Sequence, residues 1–251
     1  MEAWYHYVLL IGVGFIVGFV NTIAGGGSLI TLPVLIFLGL PPNVANGTNR
    51  VAVVIQNALG TAGFKSKGVS TFPFNIYLGI SAIFGAVLGA YIAVDLEGET
   101  FNRILAIIMI IVVLLILFKP KIKLEEMQER ITGKHLWIGI LGFFFFGIYG
   151  GFINAGLGII IILFLHYVNR MTLVRANATK VAVVFLYTVA ALGVFVLNDK
   201  VNWEVGLVLA LGNGAGAWVA SRISVDKGDG FIKTFMVIVV AILAVRLWFF
   251  N

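Results

Sequence analysis

Residues 18–28 read Gly18-Phe19-Val20-Asn21-Thr22-Ile23-Ala24-Gly25-Gly26-Gly27-Ser28. An apolar run beginning near Tyr7 reaches Ile23 and then meets three successive glycines amid Asn, Thr and Ser. Glycine carries no Cβ, so a helix can break here and turn backbone N–H groups toward a ligand. A new helix starting near Ser28 would place its positive dipole end at the break, which favours an anion. The same glycines also suit close helix packing in a membrane.

The stretch has a copy. A shift of 131 positions, without a gap, carries Ala24, Gly25 and Gly27 onto Ala155, Gly156 and Gly158. It also carries Ala45-Asn46-Gly47-Thr48-Asn49 onto Ala176-Asn177-Ala178-Thr179-Lys180, and Gly85-Ala86 onto Gly216-Ala217. Apolar residues match easily by chance in such a chain; rare polar residues at one fixed shift do not. An internal repeat on this scale is the architecture of many secondary transporters.

Composition names the solvent. Of 251 residues 61% are hydrophobic and 11% charged, which fits lipid and not water. At roughly 20 residues per crossing, the length supplies about eight to ten membrane segments with short loops. The first repeat is expected at 1–118, with segments near Tyr7–Ile23, Ser28–Leu40, Val44–Phe64, Pro73–Val94 and Phe101–Phe118. A polar cytoplasmic linker follows at 119–134. The second repeat, 135–251, runs through Leu136–Ala155, Gly158–Val168, Leu173–Leu197, Trp203–Ala220 and Phe231–Phe250. The segments after Gly27 and Gly158 are short for full spans and read as broken or re-entrant. The first segment lacks a basic leader, since only Glu2 precedes it, and is read as a retained span.

The net charge of +6 reports orientation. An odd number of crossings per repeat gathers Lys65, Lys67, Lys119, Lys121, Lys123, Arg130, Lys134, Arg170, Arg175, Arg222, Lys227 and Lys233 on one face, leaving Arg103 and Lys200 opposite. An even number divides these fourteen charges eight to six. The positive-inside rule selects the odd count, hence inverted repeats with both termini outside the cytoplasm.

Polar residues within apolar segments invite a functional reading. Asn46, Gly47, Thr48, Asn49 and Arg50, continued by Gln56 and Asn57, face Asn177, Thr179 and Lys180 in the copy. Amides and hydroxyls donate to oxyanions, and a guanidinium does so bidentately. Two plainer readings compete: Arg50 and Lys180 snorkel to the interface, and Asn46 and Asn177 cap the helices that follow them. All eleven acidic residues lie in termini, loops or segment edges. The usual buried carboxylate of cation and proton transport is thus missing.

Other classes fit poorly. The histidines His6, His135 and His166 lie near segment ends, away from the depth of Ser28, so a serine hydrolase has no base. They lack metal-binding spacing, and the absence of cysteine removes thiol chemistry and Cys-ligated metals. A lipid-scaffolding protein would not require duplicated polar clusters.

The motifs Gly18 to Ser28, Pro33, Gly39-Leu40-Pro41-Pro42 and Ala45 to Arg50 resemble those of the TauE/SafE family of membrane permeases. The resemblance extends over nearly the whole chain through the weaker copies at Gly151–Gly158 and Ala176–Lys180, where Leu157 interrupts the glycine run. It implies transport of sulfur-containing anions such as sulfite, sulfonates and sulfoacetate, commonly as export across a prokaryotic inner membrane. The expectation is therefore an all-α polytopic membrane protein of two inverted-topology repeats, working by alternating access. Its substrate site would draw on Asn21, Gly25, Gly26, Gly27, Ser28, Asn46, Thr48, Asn49 and Arg50 from one half. Asn154, Gly156, Gly158, Asn177, Thr179 and Lys180 would complete it. An anion channel, or a permease for a non-sulfur substrate, is the alternative. The expected partners are a small anion and the bilayer, with no nucleic acid, cofactor, metal or catalytic residue.

Overall fold

The computed structural model describes residues 4–96, 98–101, 103–104, 107 and 128–249. Most of the segment expected at Phe101–Phe118 and most of the linker expected at 119–134 lie outside the described residues. The rest is helical: α1 Trp4–Ile23, α2 Ser28–Phe37, α3 Pro42–Ser66, α4 Phe74–Val94, α5 Gly133–Phe152, α6 Leu157–Tyr167, α7 Leu173–Leu197 and α8 Trp203–Phe249. Of these, α4, α5 and α7 are both long and apolar enough to cross a membrane by length and composition. Helix α3 has 25 residues, but its polar cluster lowers its hydropathy.

Helices α2 and α6 have 10 and 11 residues. At 1.5 Å per residue they reach about 15–17 Å, half of a hydrocarbon core of about 30 Å. Helix α8 presents the opposite mismatch, since 47 residues in one straight helix would run about 70 Å. Its line is interrupted at Gly228 (φ 72°, ψ −170°), giving arms at 203–227 and 229–249. The two separate segments expected there from sequence are these two arms, which meet at Gly228, the first running on to position 227, past the expected end at Ala220.

The sequence halves interleave. Helix α1 packs on α8 and α5 on α4, so the first helix of each half lies against the fourth of the other; α3 likewise packs on α8 and α7 on α4. Small residues bring these pairs into backbone contact. A Cβ on Gly18 would lie 2.1 Å from the Asn213 carbonyl oxygen, and one on Gly216 2.1 Å from that of Phe15. The α4–α5 pair repeats the pattern, with 2.1 Å from Gly85 to the Phe144 oxygen and 2.0 Å from Gly151 to the Ala86 oxygen.

Polarity runs inside out. Asn46, Asn49, Arg50, Gln56, Asn57, Asn177, Lys180 and Asn213 are buried, whereas Val8, Ile16, Phe84, Leu141 and Leu211 stand at least 60% exposed on the rim. Such a distribution suits hydrocarbon surroundings, where the polar groups must find partners inside the protein. No carboxylate is buried among the described residues.

The ends of the bundle are distinct. At one, Lys67 pairs with Asp226 at 2.7 Å, Arg175 with Glu129 at 2.5 Å, and Arg222 donates to Ser66 at 3.1 Å. At the other, the Tyr7 hydroxyl donates to Glu204. Glu204 and Asp226 are separated along α8 by roughly 33 Å of helix, about one hydrocarbon thickness.

The close approaches make a stability prediction. Gly151→Val is expected to lower the unfolding midpoint of the detergent-purified protein, an overpacking cost of about 1–3 kcal/mol. Gly12→Ala, whose Cβ meets nothing within 4 Å, should not lower it. Equal losses in both would show that helix contact is not the cause.

Candidate functional site

Two broken helices cross at the centre of the fold. Helix α1 ends at Ile23 and α2 begins at Ser28; α5 ends at Phe152 and α6 begins at Leu157. Each break turns through a left-handed glycine, Gly25 at φ 86° and Gly156 at φ 72°, positions that the 131-residue shift equates. A side chain is strained in this region, which explains why the breaks need glycine. The breaks also touch: a Cβ on Gly25 would lie 2.3 Å from the Gly158 carbonyl carbon, and one on Gly158 2.5 Å from the Gly25 Cα. Only bare backbone fits. The N-terminal ends of α2 and α6 thereby lie next to each other, each with the partial positive charge of a helix start.

The opposite helix ends are capped by the other half of the sequence. Arg50, on α3, donates through Nη1 to the Gly150 carbonyl at 3.0 Å and through Nη2 to those of Gly151 at 2.5 Å and Phe152 at 3.3 Å. Asn46 Nδ2 adds a bond to the Phe152 carbonyl at 2.7 Å. The reciprocal set comes from α7. Lys180 Nζ donates to the carbonyls of Asn21 at 3.0 Å and Thr22 at 2.8 Å, and Asn177 Nδ2 to that of Ile23 at 2.9 Å. Cations are favoured at helix C-termini, where the last carbonyls lack intrahelical partners.

These placements remove the two plainer readings. Arg50 and Lys180 are each 2% exposed, so neither snorkels to an interface. Asn46 and Asn177 lie within α3 and α7, beyond their first turns, and tie the ends of α5 and α1 instead of capping the helices that follow.

The other expected site residues divide into two groups. At the crossing, Asn21 Oδ1 accepts from the Gly27 N–H at 3.0 Å across its own break, and Gly26 accepts from the Leu29 N–H at 3.1 Å. Ser28 Oγ accepts a long 3.5 Å bond from Asn49 Nδ2, and Asn154 Oδ1 accepts from the Tyr187 hydroxyl at 2.8 Å. Away from it, Thr48 Oγ1 accepts from the Asn202 N–H at 2.9 Å, near the start of α8, and the Thr179 hydroxyl donates to the Arg175 carbonyl at 2.9 Å. These two threonines fasten helices. Buried with no hydrogen-bond partner among the described residues are Thr22 Oγ1, Thr31 Oγ1, Asn49 Oδ1 and Arg50 Nε. The hydroxyls and the Nε–H are donors left over after the caps are made.

Sequence reasoning missed the aromatic supports. Tyr187 and Phe195 are fully buried on α7; the Arg50 guanidinium lies 4.6 Å from the Phe195 ring centre, a cation–π geometry. The Tyr149 hydroxyl closes the α5–α6 break on the Ala155 carbonyl at 2.5 Å. In so aromatic a chain nothing marks these rings out. Asn213, which donates to Gln56 at 3.2 Å, carried a usable signal, being a lone amide inside an apolar segment.

Among the described residues no group of His, Asp and Glu could hold a metal ion. His166 is buried against the Met171 carbonyl at 2.9 Å and Ser28 is held by Asn49, so among the described residues that serine is bonded to an amide and not to an imidazole.

Residues 10–247 match the profile described as "Sulfite exporter TauE/SafE". The chain belongs to the TauE/SafE family. Its relatives include "Probable membrane transporter protein ORF9" of Sinorhizobium sp, 31% identical over 245 residues, or 98% of this chain and 93% of that protein. A "Probable membrane transporter protein" of Haemophilus influenzae is 30% identical over 92% of this chain and 89% of its own length. YfcA of Escherichia coli K12, also named a probable membrane transporter protein, is 30% identical over 95% and 90%. No solved structure matches. This TauE/SafE chain is a membrane transporter protein by family, with a glycine crossing between two capped helix ends at its centre.

The caps predict a measurable loss. Lys180→Met strips the donors from the buried Asn21 and Thr22 carbonyls, which is expected to destabilise the purified protein by about 1–3 kcal/mol. Lys180→Arg, retaining donors and charge, should lose less. An unchanged unfolding midpoint for Lys180→Met would remove the capping role.

Proposed function

We propose that this chain is a secondary transporter of small sulfur-containing anions, sulfite or a sulfonate, that exports them by alternating access. The observation that carries the reading is the meeting of the α2 and α6 N-termini at Gly25 and Gly158, in a core that buries no carboxylate among its described residues. Helix N-termini and neutral donors attract an oxyanion, and no buried carboxylate among the described residues repels it. Sulfur as the central atom follows from the family description alone.

In this scheme the anion lies beside the Gly25–Gly158 contact, against Gly26, Gly27 and Ser28 of one break and Asn154 and Gly156 of the other. Asn21 and Asn49 orient these walls. Arg50, Lys180, Asn46 and Asn177 hold the crossing in place by capping α5 and α1, and their positive charge also lowers the energy of an anion there. Thr48 and Thr179 support the same helices from outside the ligand shell. The half-length α2 and α6 act as re-entrant helices, entering and leaving on one side.

The reciprocal caps and the paired left-handed glycines support two inverted repeats related by a two-fold axis through the crossing. Rocking of the repeats about this point gives access from alternate sides. The basic end bearing Lys67, Arg175 and Arg222 is then cytoplasmic, which puts the N-terminus outside in the inner membrane. An inside-negative potential drives anion efflux at roughly 2.3 kcal/mol per charge per 100 mV.

The test is flux of sulfite, thiosulfate, sulfate and a sulfonate in proteoliposomes, for the wild type and Gly158→Val. Saturable flux and counter-exchange of at least one anion are expected, with loss of more than roughly tenfold in the variant, whose side chain intrudes where backbones touch. Flux that rises linearly without exchange would make the protein a channel. Movement of a metal cation or sugar with none of the four anions would overturn the cargo.

A further inference from the structure

A second polar cavity lies away from the crossing, at the basic end of the bundle. It has a volume of about 240 Å³ and is walled by α3, the loop 67–73, the start of α4 and the Ala178–Ala182 face of α7. The chain shapes it locally. Helix α3 ends in left-handed Gly68, and the N–H groups of Gly68 and Val69 return to the carbonyls of Lys65 and Phe64 at 3.0 and 3.1 Å. This helix-ending pattern folds the loop back over its own helix. Ala178 and Ala182, one turn apart and mostly buried, leave the space on the α7 side open.

Its lining is chemically one-sided. Thr61, Lys65, Thr71 and Asn75 supply polar groups, and no lining residue is acidic. The neighbouring cations are engaged, Lys67 by Asp226 at 2.7 Å and Arg175 by Glu129 at 2.5 Å; Lys65 has no ion pair among the described residues. Two polar atoms of the wall, Thr61 Oγ1 and Asn75 Oδ1, are buried without a partner. An amide can be turned to present its NH₂ in place of its oxygen, so hydroxyl, amide and ammonium donors belong to the wall of one partly open pocket. That volume lies below the roughly 300 Å³ at which drug-sized ligands begin to fit, which suits a small polyatomic ion.

We propose that this cavity is a binding site for a small oxyanion, separate from the glycine crossing. Lys65 supplies the charge and Thr61 and Asn75 the short-range donors. Its place at the basic end makes it the loading vestibule of the pathway, and that role, unlike the binding itself, rests on the transport reading above. Helix α7 is the partition, carrying Ala178 and Ala182 on the cavity wall and, between them in sequence, Lys180 directed at α1.

The lack of cysteine in the chain permits a direct test. Ala182→Cys places one thiol in the wall of the full-length protein, with Ala178→Cys as a second reporter should the first fail to fold. Modification by an anionic sulfonatoethyl methanethiosulfonate is compared with its cationic trimethylammonium analogue, each normalised to a free thiol. The anionic reagent is expected to be favoured by roughly tenfold, and Lys65→Gln to bring the ratio close to one. Millimolar sulfate, sulfoacetate or phosphate should slow labelling, and the three arms tell sulfur oxyanions from phosphate. Thr61→Val should weaken this protection roughly three- to tenfold without lowering the unfolding midpoint, because its hydroxyl has no partner to lose. Protection no greater than that by gluconate at equal ionic strength, or equal rates for the two reagents, overturns the site. Protection without flux in proteoliposomes would retain the site and sink the transport reading; flux without protection would do the reverse.

Discussion

A helix that stops inside a hydrocarbon layer leaves its last carbonyls without hydrogen-bond partners, and no water is present to supply them. Two helices of this fold stop at its buried centre, α1 at Ile23 and α5 at Phe152. Everything at the centre of the molecule follows from how those carbonyls are satisfied. Arg50 and Asn46 reach across to the end of α5, while Lys180 and Asn177 reach to the end of α1. Each donor sits on the third helix of its own half and serves the first helix of the other. The buried cations are therefore compatible with a lipid-facing fold, each being matched by the negative end of a helix dipole and by direct bonds to oxygen.

The same exchange shapes the electrostatics of the crossing. Had the carbonyl ends been left bare, their partial negative charge would oppose the partial positive charge of the adjacent α2 and α6 starts. With the Arg50 guanidinium and the Lys180 amine over them, that partial negative charge is offset where the helices end. Each break is held by residues of the opposite half. Glycine is required at the contact for a separate reason: Gly25 and Gly158 are so close that a Cβ on either would penetrate the other's backbone.

The two halves solve corresponding problems with different residues. At the start of α7 the Asp229 carboxylate accepts from the N–H groups of Leu173 and Val174, each at 2.9 Å. The corresponding start of α3 carries Pro42, which has no N–H to satisfy, and Gly98 lies where Asp229 would fall by the 131-residue shift, with its Cβ position 3.4 Å from the proline ring. Such divergence under a shared backbone explains why the copies match weakly outside the polar motifs.

Much of this was legible in the linear chain, because lipid imposes simple demands. A membrane needs runs of apolar residues, a helix break in it needs glycine, and buried polar groups are too costly to be incidental; Gly25, Gly156, Asn46, Asn177, Arg50 and Lys180 all stand out on those grounds. The extent of the first arm of α8 was less legible, since the polar residues after Ala220 read as a loop although the helix continues to position 227. What those polar residues hold could not be read at all. Hydrogen-bond partners 100 to 159 positions apart are fixed only when α1 packs on α8 and α5 on α4, and that interleaving is decided by helix faces meeting in three dimensions. Sequence thus determined the solvent, the breaks and the repeat, each set by local chain physics. Tertiary structure alone decided that the cations cap helix ends and that the two glycine breaks touch, because both depend on where distant backbones come to rest.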